Sequence, residues 1–406
     1  IQKLLKFKKI KTFSVNKIQD KDLDPWVQTV SINTGKSSKV HKILKTGQPV
    51  PKSLIQIWDI LSKKKINCAI WGTMNTYFKN NNYIKVFFPD PWNRQVKVKP
   101  VSLLNAFKLP RSYAQNYTDY RISKNLSKIL SFLFICIKHI SLIDLIKISL
   151  IFFQTFFLKG FKNYNLFFLF DLISIYLFES FTKNKGINFS HIFLNSLAHF
   201  QHNNWDEINN YKIYFKYADS IAKKIIDLSD KYNQTIIYNG FTQKKIKTEY
   251  LLRPKNPQKF LRAIGIFFKK LDTNMTNGGI LEFRDVQEKN KNKKKLSDFN
   301  VFGFKFFEVK EISLNKIFYR IQVKSFKKIE PYFPSNLIQK NLCYDSRLNI
   351  QMFKNLNKNK EIFNQFKYLK TTGKHFFEGI LLSKKLISEK KVIENKKIFT
   401  LVKNYF

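Results

Sequence analysis

Apolar residues between Ser53 and Lys64 recur at helical spacing, with Leu54, Ile55, Ile57, Trp58 and Leu61 on one side of an amphipathic helix. The pattern then tightens into Asn67-Cys68-Ala69-Ile70-Trp71-Gly72, an unbroken apolar run closed by glycine. Such a run predicts a short strand covered on both faces, as in a parallel sheet. Phe87-Phe88 ahead of Pro89-Asp90-Pro91-Trp92 predicts a second strand end with a rigid turn. Upstream, Pro25 to Ile32 follows Asp22-Leu23-Asp24, which predicts a helix with proline in its first position, an acid at its N-terminus and Gly35 as its C-cap. Helix, short strand, glycine and loop in this order predict an α/β sheet whose chemistry lies at strand C-terminal ends.

From about Asn125 to Phe181 the chain becomes rich in Phe, Leu and Ile, with Gly160 its one turn signal. This predicts an all-helical insertion or cap. Ile187 to Leu194 reads as a strand, Tyr217 to Tyr232 as a helix, and Gln234 to Tyr238 as a short buried strand stopped by Asn239-Gly240. Glu288 to Lys295 reads as a surface loop of low complexity, and Phe302 to Ile321 as a hairpin with Glu308 and Glu311 as its acidic members. Glu282, Arg284 and Asp285 read as a strand-edge ion pair. The expected division is 1–125 (first half of an α/β core), 126–185 (helical insertion) and 186–406 (second half of the core).

Composition narrows the class. The chain of 406 residues is 44% apolar and 16% aromatic, enough to bury a sizeable core and to exclude a disordered chain. Cys68, Cys136 and Cys343 cannot pair completely, so reduced thiols are expected. Lys and Arg number 73 against 28 Asp and Glu, yet only eight of the 73 are Arg. A surplus of Lys, Asn, Ile and Phe is the mark of an AT-rich coding sequence. It predicts a solvated basic surface that favours polyanionic or anionic-membrane neighbours, with nucleic acid a less favoured partner. The chain opens on Ile1 and a basic run from Lys3 to Lys11 without an apolar signal core, so a start further upstream is expected. No uncharged apolar stretch reaches the ~18–20 residues of a spanning helix, and Ile148 to Leu158 comes nearest. A cytoplasmic or peripheral membrane location is expected on that basis.

Three segments carry candidate chemistry. Asn195 and His199 are four apart and share one helical face, which His202 can join. Two imidazoles and an amide oxygen make a partial metal site, against the plainer reading of satisfied or surface histidines. Gly373-Lys374-His375 through Gly379-Ile380 suits a His presented from a loop just ahead of a strand. Ser31-x-x-Thr34-Gly35, with His41 six residues on, ends the Pro25 helix. Trp58, Trp71 and Trp92 read as core or pocket walls, His41 as a helix-end partner, and Arg253 to Lys255 as a guide for a polyanion.

In this order the pieces resemble the alkaline-phosphatase superfamily, in its type I phosphodiesterase/nucleotide pyrophosphatase branch with sulfatase relatives. Pro25 to Gly35 with His41 is similar to the helix after the nucleophile, and Cys68 to Gly72 to the next core strand. Asn195 to His199 matches the Asp-x-x-x-His metal motif with Asn for Asp, and Gly373 to Gly379 the segment supplying the last metal His.

The resemblance implies a doubly wound mixed α/β sheet with a helical insertion, hydrolysing phosphate or sulfate esters with a divalent metal, zinc above all. Carried over, Asn195, His199 and His375 are the metal ligands, Asp24 is the catalytic group at the helix N-terminus, and His202 and Gln243 are supporting residues. The family's first metal Asp falls before residue 1, Pro25 stands near the nucleophile position, and Asn239-Gly240 replaces an Asp-His pair, so one ion rather than two is implied. The alternative is a catalytically degenerate member acting as a basic binding protein for nucleic acid or an anionic surface.

Overall fold

The computed structural model describes residues 2–14, 23–93, 97–116, 123–159, 163–205, 208–273, 277–301, 304–322 and 366–406. It is a mixed α/β protein that divides into two compact units, one of residues 1–117, 121–246 and 372–406, the other of 118–120 and 247–371. These boundaries do not coincide with the sequence-based ones at 125 and 185.

In the larger unit, Cys68–Thr73 is the centre of a three-stranded parallel sheet, flanked by Ile84–Pro89 and Phe189–Ile192. Its residues are almost wholly buried, as the unbroken apolar run predicts. Alternation along the strand sends side chains into two different cores. Ala69 and Trp71 join Val86 and Phe88 beneath the helices Leu126–His139 and Asn163–Thr182, where Phe132, Phe168 and Leu172 are buried. Cys68 and Ile70 face the opposite way, onto Trp58 and Leu61 of the helix Ile57–Lys63 and Phe399 of the helix Lys397–Tyr405. Helices therefore cover both faces of the sheet. Gly72 holds a left-handed φ of 72°, and a Cβ there would lie 2.7 Å from the Phe193 carbonyl oxygen. Glycine is required at that close approach.

A four-stranded mixed sheet lies in the same unit, in the order Val392–Glu394, Lys8–Phe13, Glu378–Ser383, Ile236–Tyr238. The first pair is parallel and the others antiparallel. Ile10, Leu381 and Ile393 pack on Ile32 of the helix Pro25–Thr34 and Ile398 of the C-terminal helix. Side chains bridge this sheet to the parallel one: His191 lies between Thr73 Oγ1 (2.8 Å from Nδ1) and the Tyr238 hydroxyl (3.0 Å from Nε2).

Several expectations hold. Pro25–Thr34 is helical with Pro25 in its first turn and Gly35 left-handed after it, Ile208–Ser229 is helical, and Ile236–Tyr238 is a strand. The expected Ser53 helix begins only at Ile57, because Gln56 and Asp59 form a capping box there. Trp58 and Trp71 are core residues, while Trp92 is half-buried. Cys68 and Cys136 are buried free thiols, and Cys343 lies outside the described residues.

The smaller unit contains an antiparallel sheet ordered Phe307–Ser313, Lys316–Ile321, Gly278–Glu282, Lys270–Thr273, and the first two strands are the expected hairpin. The expected surface loop at Glu288–Lys295 is instead part of a helix, Val286–Asp298. Asp285 caps it by accepting from the Glu288 amide (2.7 Å), and the Glu288 carboxylate reaches back to the Arg284 amide (2.9 Å). Lys and Glu are good helix formers once such a cap is present, so low complexity did not mean loop. The expected Glu282–Arg284–Asp285 ion pair is also replaced: Glu282 pairs with Lys316 at 3.0 Å while Asp285 acts as the cap.

Candidate functional site

The candidate metal-binding, catalytic and supporting residues lie in the larger unit, while Arg253 to Lys255 fall in the smaller one, and the fold sorts the former into separate groups. Asp24 is the N-cap of the helix Pro25–Thr34, with the Val27 and Gln28 amides bonded to its carbonyl oxygen. Asn195 is the N-cap of the helix Ser196–Asn204, which carries His199 and His202. His375 sits within the strand Phe366–Phe376 rather than on the loop expected, and Phe377 alone separates that strand from the strand Glu378–Ser383.

The start of the Asn195 helix is fixed from below. Asp171, buried in the apolar helix Asn163–Thr182, accepts from the Asn195 amide at 2.9 Å and the Ser196 amide at 2.7 Å. Burial pushes its pKa up to about 6 despite those bonds. With the helix N-terminus so served, the Asn195 side chain turns to His199 and its amide nitrogen lies 3.3 Å from Nε2. On that assignment the amide donates and Nε2 accepts, which engages the lone pair a metal would use. The ring of His199 also stacks on Phe167, with centroids 4.1 Å apart and planes 6° from parallel.

His202 is the imidazole that meets His375. Their Nε2 atoms are 3.0 Å apart across 173 residues of sequence, and the Nδ1 of His202 lies 3.4 Å from the Gly373 carbonyl oxygen. If that Nδ1 carries its proton toward Gly373, the Nε2 of His202 accepts from the Nε2–H of His375. On the far side of His375, Nδ1 lies 3.9 Å from Asp24 Oδ1, and Phe241 stands edge-on to the ring. The sequence-based grouping of Asn195, His199 and His375 thus becomes two pairs, Asn195 with His199 and His202 with His375. Gln243 braces the same helix by donating to the Ala198 carbonyl at 3.1 Å, while its buried Oε1 has no hydrogen-bond partner.

Burial keeps these rings neutral. It draws His375 down to about 3 and His199 to about 4, with neighbouring His202 pushing both in the same direction. His202 is itself lowered by burial, opposed by its bond to Gly373. Rings this resistant to protonation are poor general acids near neutral pH.

A metal can be tested against the donors present. Zinc–nitrogen bonds of about 2.0–2.1 Å at about 90–110° place neighbouring nitrogens about 2.9–3.4 Å apart, which the His202–His375 pair matches. Asp24 faces the other nitrogen of His375, and His199 is occupied by Asn195. Among the described residues no three His, Cys, Asp or Glu side chains are disposed around one point. Two imidazoles fall short of the three or four protein ligands that zinc takes. The described residues alone do not make a catalytic metal centre.

The other family-like positions have structural employment. His41 Nδ1 accepts from the Ile43 amide at 3.0 Å, so its neutral ring carries the proton on Nε2, 3.0 Å from Ser31 Oγ. Ser31 Oγ in turn donates to the Val27 carbonyl at 3.2 Å. His41 therefore cannot act as a base toward Ser31. Asn239, where the resemblance calls for an Asp-His pair, accepts from the Ile380 amide at 2.6 Å and ends its strand. Sequence reasoning missed the capping role of Asp171 and the inter-sheet role of His191. A lone carboxylate inside the apolar run Leu166 to Leu177 was the available signal for the first.

Taken as a class, this is a mixed α/β protein with a buried imidazole pair beside a helix N-terminus. No protein-family model, curated protein or solved structure matches the chain.

Proposed function

We propose that this chain is a basic polyanion-binding protein, built on an α/β frame of alkaline-phosphatase type whose catalytic centre is reduced to the His202–His375 pair. One observation carries the reading: basic side chains far outnumber acidic ones, and several of the acids among the described residues are each held by two of those bases. The chain has 73 basic against 28 acidic side chains. Glu179 binds both Lys224 and Lys231, Glu308 binds Lys310 and Arg320, and Glu311 binds Lys289 and Lys293. Buried Asp90 is pushed up to about 7, so it contributes less than a full negative charge near neutrality.

The excess has a place in the larger unit. Along Lys8–Phe13, Ile10 and Thr12 are buried while Lys9 and Lys11 are exposed. The Lys11 amide bonds to the Lys391 carbonyl at 2.9 Å, which brings exposed Lys390 and Lys391 beside them. A row of lysines on paired strands neutralises phosphates one by one and releases their counterions. Single-stranded nucleic acid is the polyanion of choice for the test. The triple variant Lys9→Glu/Lys11→Glu/Lys391→Glu is expected to weaken binding of a fluorescent oligonucleotide by about tenfold or more. The double variant His202→Asn/His375→Asn is expected to bind as the parent does. Equal binding by the triple variant would overturn this surface.

The 3.0 Å spacing of His202 and His375 favours a second reading, a metal-dependent hydrolase of phosphate or sulfate esters. There His202 and His375 would hold one divalent ion, zinc by preference, and Asp24 would orient His375 through its other nitrogen. It requires further ligands beyond the described set. Stoichiometric zinc retained after dialysis, together with cleavage of a chromogenic phosphodiester abolished by His375→Asn, would establish it over the first.

A further inference from the structure

We infer that the helical pair Leu126–His139 and Leu142–Lys159 is a docking face for an anionic lipid bilayer, lying in its surface rather than crossing it. A helix on a protein surface ordinarily turns one apolar stripe inward and presents polar residues to water. These two helices carry an apolar stripe on each side. Inward, Phe132, Ile135, Cys136 and Ile148 are buried in the core of the larger unit. Outward, Leu126, Leu130, Leu133, Phe134 and Ile137 recur at three- and four-residue spacing on the first helix and are 48–70% exposed. Ile143, Ile146, Leu150, Phe153 and Phe157 do the same on the second and are 51–81% exposed. Together with Leu142 and Leu158, they are twelve of the 27 exposed large apolar side chains among the described residues, gathered between residues 126 and 158. That density is far from the scattered exposure of an ordinary surface.

Charge chooses the occupant. The segment 123–159 contains five lysines (Lys124, Lys128, Lys138, Lys147 and Lys159) and one acid, Asp144, which is paired with Lys147 at 3.7 Å. Lys124, Lys138 and Lys147 are exposed beside the apolar stripes. Exposed Phe and Leu with flanking lysines, in a chain of net charge +45, is the composition that settles helices at the headgroup level of anionic membranes. Neither helix is long and apolar enough to span: among the described residues only Tyr164–Thr182 passes that test, and 56% of it is buried in the fold.

Flotation of the full chain with phosphatidylcholine vesicles containing about 30% phosphatidylserine is the experiment. The parent protein is expected to float with these vesicles, to float far less with pure phosphatidylcholine, and to be released by alkaline carbonate. The variant Ile137→Gln/Leu150→Gln/Phe157→Gln is expected to lose vesicle binding by about tenfold while keeping its thermal unfolding and oligonucleotide binding. Those two controls separate this face from the lysine row on the strands. Equal flotation of the variant, resistance to carbonate, or a protein dimer dissolved by the same three substitutions would each overturn the inference.

Discussion

The Nε2 atoms of His202 and His375 stand 3.0 Å apart although 173 residues separate them in sequence. Gly373 makes the approach feasible. A Cβ there would meet the Gln201 carbonyl oxygen and lie 2.7 Å from the Trp205 indole, on the same helix that carries His202. Gly373→Ala is therefore expected to push strand and helix apart, destabilising the fold by about 1–3 kcal/mol and separating the rings. Urea unfolding and the ring-nitrogen shifts of His202 and His375 measure both effects. A variant as stable as the parent would show that the seam is loose.

Protonation gives a second expectation. Burial lowers His191 and His199 to about 4 and His375 to about 3. Below the ordinary His value near 6.5 the unfolded chain takes up protons that these folded rings refuse, so their contribution to stability is complete above that pH. It falls by roughly 1.4 kcal/mol per pH unit per ring as pH drops toward 4. Asp171 and Asp90 oppose this, being raised to about 6 and about 7. They favour the fold at acid pH and lose that contribution as pH rises from about 4 toward 7. The imidazoles lowered by burial, with His139 and His202 among them, and the carboxyls raised by it, with Asp59 among them, pull stability in opposite directions between pH 4 and 6. Nitrogen NMR at pH 5 should find His191, His199 and His375 neutral, and an imidazolium signature at any of them would contradict the burial argument.

Asp171 tests the cap under the Asn195 helix. Asp171→Ala leaves the Asn195 and Ser196 amides without their acceptor and is expected to cost about 1–3 kcal/mol. Asp171→Asn retains a carbonyl acceptor and should recover most of the loss. Thermal unfolding of the two variants distinguishes a hydrogen-bonding role from mere space filling.

In the smaller unit, Asp285→Ala removes the side-chain acceptor of the Glu288 amide. A loss of about 1 kcal/mol is expected, with faster hydrogen exchange in the first turn of Val286–Asp298. Unchanged exchange there would mean that Glu288 alone suffices to start the helix.

Elements whose identity rests on local pattern were legible in the sequence. The unbroken run Cys68 to Gly72 declared a doubly covered strand, and Asp24-Pro25 with Gly35 declared both ends of a helix. The helix at Val286 was not legible because its lysine- and asparagine-rich composition resembles a loop, and its start rests on a cap in which Asp285 accepts from the Glu288 amide. The site was only half legible. Spacing put His199 and His202 on one helix, but which of them turns toward His375 depends on the Phe167 stack and the Asp171 cap, both contributed by a distant helix. Likewise, no local signal reveals that His191 bridges two sheets, because Thr73 and Tyr238 come from separate strands.

Binding of a single-stranded oligonucleotide measured across a salt series tests the proposed function most directly. Engagement of four or more phosphates, at about 0.7 per phosphate, predicts a log–log slope of about −3 or steeper, flattened by charge reversal at Lys9, Lys11 and Lys391. An affinity that does not change with salt would contradict the account, as would turnover of the oligonucleotide that depends on His375.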